Sequence, residues 1–134
     1  MIEIKLSNPA TLHTPVGPYS QVGRVKASEF IFLAGQTSID KTGQLVGAGD
    51  IAAQARQVFA NVEAALLAAG ADWSNVVHFT NYLVNPEDLP KFVEYRRSVF
   101  PAMFPAGYPP NTLLYVHRLL REEFLVEVQA IAAL

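Results

Sequence analysis

Three polar side chains sit where the chain is otherwise apolar or built of turn residues: Tyr19 in Gly17-Pro-Tyr-Ser-Gln21, Asn111 at a strand start, and Glu127 inside the last strand. They are the first candidates for chemistry, because a phenol and an amide can hold a polar ligand and a carboxylate can orient or deprotonate water. A carboxylate withdrawn into a strand is costly without partners. Glu127 therefore reads either as half of a structural ion pair or as a group kept for chemistry.

Other chemistries lack their signatures. With 0 Cys there is no disulfide, thiolate nucleophile or sulfur metal ligand, and a reducing compartment fits. His13, His78 and His117 are scattered, without the close pairing or clustered carboxylates of a metal site, so no metal is expected. No Gly-x-Ser-x-Gly elbow exposes a serine nucleophile. Gly47-Ala-Gly-Asp-Ile-Ala52 has the spacing of a dinucleotide-binding turn, but only a short return strand precedes it and Asp50 would repel an anion. A flexible loop feeding a helix is the expected role.

The elements that must position these residues are legible as changes of period. After an arm rich in Pro and small polar residues, Phe30-Ile-Phe-Leu-Ala-Gly-Gln36 reads as a central strand. Asp40-Lys-Thr-Gly43 then turns the chain into Gln44-Leu-Val46, making a hairpin. From Asp50, the residues Ile51, Ala55, Val58, Val62, Ala65 and Ala69 recur at helical spacing, with Asp50 able to cap and Gly70 able to end the helix. Val76 to Val84 reads as a strand. Asn85-Pro86 opens a second helix carrying Leu89, Phe92, Val93, Arg96 and Val99, and Pro101 is expected to stop it. Asn111 to Arg118 and Phe124 to Ala132 close the chain as two strands joined by a turn whose Arg121-Glu-Glu123 is solvated.

In the last strand, Phe124, Val126, Val128 and Ala130 share one face, while Leu125, Glu127, Gln129 and Ile131 share the other, so neither face is purely polar. Two helices shield one face of a sheet, which leaves the second to meet neighbouring subunits. Composition agrees: 51% hydrophobic and 16% charged residues in a chain of 134, one domain over 1–134, leave little polar material for a full surface. Ten Lys and Arg against 12 Asp and Glu provide no excess to neutralise a phosphate backbone. Neither a leader-like start nor a long apolar run is present, and a cytoplasmic, soluble protein without membrane partners is expected.

Taken in order, Gly17-Pro-Tyr-Ser-Gln21, Leu33-Ala-Gly-Gln36, the Asp50 to Gly70 helix with Gln54, Ala55 and Asn61, and Val126-Glu-Val-Gln-Ala-Ile-Ala132 resemble the RidA/YjgF family of reactive-intermediate deaminases. The resemblance covers nearly the whole chain. It implies a chorismate-mutase-like α+β fold, a mixed sheet with two helices packed on one face, and a homotrimer with a small-molecule cleft between adjacent subunits. Active members hydrolyse imines and enamines such as 2-aminoacrylate to 2-oxoacids and ammonia without a cofactor. By matching position, Tyr19 looks like the aromatic hydroxyl lining the cleft, Gly35 and Leu113 look like backbone contacts, and Glu127 looks like the catalytic carboxylate that orients water.

The departures carry consequences. The family's carboxylate-binding arginine falls at Asn111, and the serine of its Ser-Gly-Gln motif is Ala34. A guanidinium offers a fixed positive fork, whereas an amide is neutral and offers one NH₂. Three functions are thus in competition. The first is a metabolite-binding trimer that has diverged from 2-iminoacid deamination and uses Tyr19, Asn111 and Glu127. The second is a hydrolase of C=N bonds with a neutral substrate, or one whose anion is held by Arg24 or Arg118. The third is a ribonuclease or translation inhibitor, which the acidic balance opposes.

Overall fold

The computed structural model describes residues 2–134. Alternation of apolar and polar residues places two short strands at the start of the chain, β1 (Glu3–Ser7) and β2 (Val22–Lys26), which pair antiparallel as a separate ribbon. From the sequence this stretch reads only as an arm rich in Pro and small polar residues. Ile4, Leu6, Gly23 and Val25 face inward, a period-2 signal that the surrounding Pro and Gly obscure.

The main sheet has the order β3-β6-β4-β5. Its members are β3 (Phe30–Phe32), β4 (Val76–Leu83), β5 (Asn111–Tyr115) and β6 (Val126–Ala133). β6 pairs antiparallel with both β3 and β4, while β5 runs parallel to β4. Two expectations need correction here. Phe30–Gln36 is not a central strand, because β3 forms an edge and pairs only with β6. Nor are the last two strands neighbours, since β4 lies between them and the connection after β5 has to cross the end of the sheet.

The pairing of β3 is interrupted by one extra residue. Leu33 donates to the Ala130 carbonyl and Gln36 exchanges both backbone bonds with Val128, so Ala34 and Gly35 together oppose Gln129 alone. This is a β-bulge, which re-aims a strand locally. The turn that follows is as expected. Asp40 accepts from the Thr42 and Gln44 amides and from the Thr42 hydroxyl, and Ile39 bridges Leu45.

Two helices cover one face of the sheet. In α1 (Ile51–Ala68), the Asp50 carboxylate caps the Ala53 amide and Gly70 follows the end at φ +79°. The core stripe is Ile51, Ala55, Val58, Phe59, Val62 and Leu66, rotated slightly from the one read in the sequence because Phe59 and Leu66 displace the small Ala65 and Ala69. Gln54 is fully buried within it. Its amide donates to the Gly47 and Glu123 carbonyls and accepts from the Leu125 amide, tying α1 to the chain entering β6.

The second helix, α2 (Leu89–Met103), does not stop at Pro101 as expected. Pro101 lies in the last turn, where it forgoes one bond to the Arg97 carbonyl while the Phe104 amide still closes the helix on the Phe100 carbonyl. An aromatic cluster holds α2 to α1 and the sheet: Phe59 lies 5.7 to 6.4 Å from Trp73, Phe79, Phe92, Tyr95 and Phe100.

The other face of the sheet is left open. Phe30, Phe32 and Leu114 are exposed there, Phe32 by 73%, on the side that also carries Glu127, Gln129 and Ile131. No described helix is long and apolar enough to cross a membrane.

Candidate functional site

The N-terminal loop, α2 and β5 enclose a pocket of about 470 Å³ along the outer edge of the sheet. Tyr19, Asn111 and Leu113, three of the residues singled out from the sequence, line it with Val16, Gln21, Val93 and Arg96. The loop that brings Tyr19 to this wall is fastened from both sides. The Gln21 amide donates to Asn8 Oδ1, and its side chain donates to the His13 carbonyl. Asn111 and Leu113 face the helices because β5 pairs with β4 so that Asn111 stands opposite Phe79 and Leu113 opposite Asn81, both buried on the helix side.

Gly35 and Glu127 do not line this pocket. They meet each other on the open face of the sheet, where the bulge carries Gly35 against the Glu127 side chain. A Cβ added at Gly35 would overlap Glu127 Oε2 and lie 2.9 Å from Cδ and 3.1 Å from Cγ. Glu127 is half-buried, and among the described residues no cation or hydrogen-bond donor is paired with its carboxylate, which removes the structural ion pair considered from the sequence. The five candidate residues thus fall into two groups on opposite faces of one protomer.

The residue that sequence reasoning passed over is Arg96. Its place in the apolar stripe of α2 was visible, but nothing in the sequence said where its guanidinium would end. It is 4% exposed, and Nη1 donates to Asn111 Oδ1 at 3.0 Å. The guanidinium carbon stands 4.9 Å from the Phe92 ring centre and 5.8 Å from that of Phe100. Asn81 Nδ2 donates to the same Asn111 oxygen at 2.9 Å and to the Thr112 carbonyl. Arg96 Nε and Asn81 Oδ1 are buried without partners.

Because a guanidinium can only donate, Oδ1 of Asn111 is fixed toward Arg96 and its NH₂ group is left for the pocket. Burial first, and the neighbouring Arg97 second, lower the Arg96 pKa to about 10, so it stays a cation at neutral pH. The two arginines expected from the sequence as possible substitutes are elsewhere. Arg24 lies on β2 beside Glu3 and Lys5, and Arg118 is spent on the Leu119 and Leu120 carbonyls.

The remaining sequence candidates resolve as structure. Gly47 and Gly49 sit at φ +77° and +69°, and a Cβ at Gly47 would strike Ala53, so the glycine-rich turn is shaped by its packing on α1. Among the described residues, no cluster of His, Asp and Glu could hold a metal. A second concavity lined by Ile4, Leu6, Trp73, Met103 and Phe104 is apolar and carries no titratable side chain.

Residues 10–134 match the family model described as Endoribonuclease L-PSP. The chain is 42% identical to RutC family protein PH0854 of Pyrococcus horikoshii over 88% of each chain. It is 33% identical to the bovine (Bos taurus) protein named 2-iminobutanoate/2-iminopropanoate deaminase, over 96% of this chain and 88% of that one. The crystal structure of YyfB, a Rid-family protein of unknown function from Yersinia pestis, superposes with a TM-score of 0.86 at 30% identity over 98% of both chains. The two helices on a mixed sheet, the pocket at the β5 edge and these likenesses together place the chain in the RidA/YjgF family, the Endoribonuclease L-PSP family of the matching model.

Proposed function

We propose that this chain assembles as a homotrimer and hydrolyses a small imine or enamine in clefts formed between neighbouring subunits. The observation that carries this reading is the division of the candidate residues. Tyr19, Asn111 and Leu113 line a pocket open at the β5 edge, whereas Glu127 and Gly35 sit on the uncovered face. A second copy docked through the exposed Phe30, Phe32 and Leu114 would bring its Glu127 toward the first copy's pocket and cover apolar surface in the same step.

In that arrangement an enamine first takes a proton on carbon to become the imine. Glu127 then holds a water and accepts its proton as the water oxygen attacks the C=N carbon, the nitrogen taking up a proton to give a carbinolamine. The carbinolamine hydroxyl in turn gives up its proton to Glu127 as C=O forms, the C–N bond breaks and the nitrogen, protonated again, leaves as ammonia. Tyr19 and Asn111 hold the substrate. The buried cation at the pocket floor favours turnover over the diverged, non-deaminating binder anticipated when Asn111 was considered alone. The bovine relative's name supports the same reaction class.

The test couples the protein to an amino-acid oxidase or dehydratase and measures ammonia release alongside sedimentation. A trimer that accelerates release, and loses the acceleration in Glu127→Gln, is expected. A monomer, or a trimer with rates equal to buffer, refutes the proposal.

A further inference from the structure

We infer that Arg96 is the anion anchor of this pocket, reaching its ligand from behind β5 through the charge of its guanidinium and the orientation it imposes on Asn111, and that the occupant bears a carboxylate. The inference rests on the pocket being a ligand site as proposed above, and it names what that site selects.

A cation removed from water is costly unless paired. Arg96 is 4% exposed, yet no carboxylate is paired with it among the described residues. Its partners are one neutral oxygen and two aromatic rings, and Nε has no acceptor. Rings compensate a desolvated guanidinium in part, but they leave its net charge in place. Of the pocket's lining residues Arg96 alone is charged, so the field that this chain sets up inside is positive.

The polar wiring points the same way. Two donors, Arg96 Nη1 and Asn81 Nδ2, converge on Asn111 Oδ1. They polarise the amide and hold its NH₂ toward the pocket, where among the described residues it donates to nothing. An anion entering there meets a fixed N–H donor backed by a full positive charge. The positive charge expected from β5 is thus supplied from α2, one layer deeper.

Titration of the full-length protein with 2-oxobutanoate and with its neutral amide, 2-oxobutanamide, tests this. Preference for the acid by about 10- to 100-fold is expected, the range of one charge-assisted contact. Arg96→Met should reduce that preference to within about threefold while amide binding persists, and Arg96→Lys should keep part of it. A purely structural role would instead weaken both ligands alike. Asn111→Asp guards against misfolding of the Arg96 variants, because it is isosteric, accepts the same two donors and neutralises Arg96. It should fold, weaken amide binding only by the one lost N–H contact, and weaken acid binding far more.

Preference for the acid that survives in both Arg96→Met and Asn111→Asp, or no such preference in the unaltered protein, overturns the inference. Selective acid binding without ammonia release would sustain the anchor and remove the hydrolase reading. Undiminished ammonia release from 2-iminobutanoate by Asn111→Asp would do the reverse.

Discussion

Gly35→Ala tests whether the contact between the bulge and Glu127 serves the chemistry. The glycine is not at positive φ, so alanine adopts its backbone without strain and the perturbation is purely steric. The new methyl would overlap the carboxylate and lie 2.9 Å from its carbon, where carbon contacts ordinarily settle at about 3.5 to 4.0 Å. The carboxylate must therefore withdraw by roughly 1 Å. Glu127 gives up no hydrogen bond in doing so, and the cost is about 0.5 to 1.5 kcal/mol for a displaced rotamer, a few degrees in Tm. Turnover is far more sensitive, because a misplacement of about 1 Å in a reacting group can lower the rate about 100-fold. Ammonia release with an imine-generating enzyme, and thermal melts of the same samples, separate the two effects. Full turnover with an unchanged melting curve would show that Glu127 does not act from the position the bulge gives it.

Asn111→Arg, which family pattern alone suggests should restore a grip on acidic substrates, is expected to fail. It removes the one acceptor that Arg96 Nη1 has among the described residues and sets a second cation beside it, so stability in urea should fall by at least about 2 kcal/mol with no gain in ammonia release. Gln54→Met strands the Leu125 amide and takes the side-chain donor from the Glu123 carbonyl, while the Gly47 carbonyl keeps the Asp50 amide, and equilibrium urea unfolding should register a loss of about 2 kcal/mol. Burial lowers the pKa of His78 below 6.5, so the folded state binds its proton less readily than the unfolded chain. The resulting stability is present above that value and lost as pH falls through the lowered one. Melting temperatures of His78→Asn should consequently decline less between pH 7 and 5 than those of the unaltered protein.

Local signals made most of the fold legible. Helical spacing between an Asp cap and Gly70 fixed α1, alternation in β6 separated the face against the helices from the open one, and the Asp40 turn followed from side-chain and glycine chemistry. What failed was non-local. A run of strand formers does not say whether it lies at the centre or edge of a sheet, so β3 was misplaced, and neither does it announce that Ala34 and Gly35 form a bulge. Pro101 misled because a proline's place in the sequence does not say whether the packing of its neighbours carries the helix on past it.

The site divides along the same line. Residue type and order alone picked out Tyr19, Gly35, Asn111, Leu113 and Glu127, because polar groups in apolar strands and a family-like succession of segments are properties of the chain itself. That Asn111 is neutral was also plain in the sequence. That it stands against a buried guanidinium was not, for Arg96 is 15 residues away on another element and its side chain direction depends on how α2 packs against β5. Charge is written in the sequence; the place where that charge is felt is set by tertiary packing, since only the folded core strips water from Arg96 and leaves its field directed into the pocket.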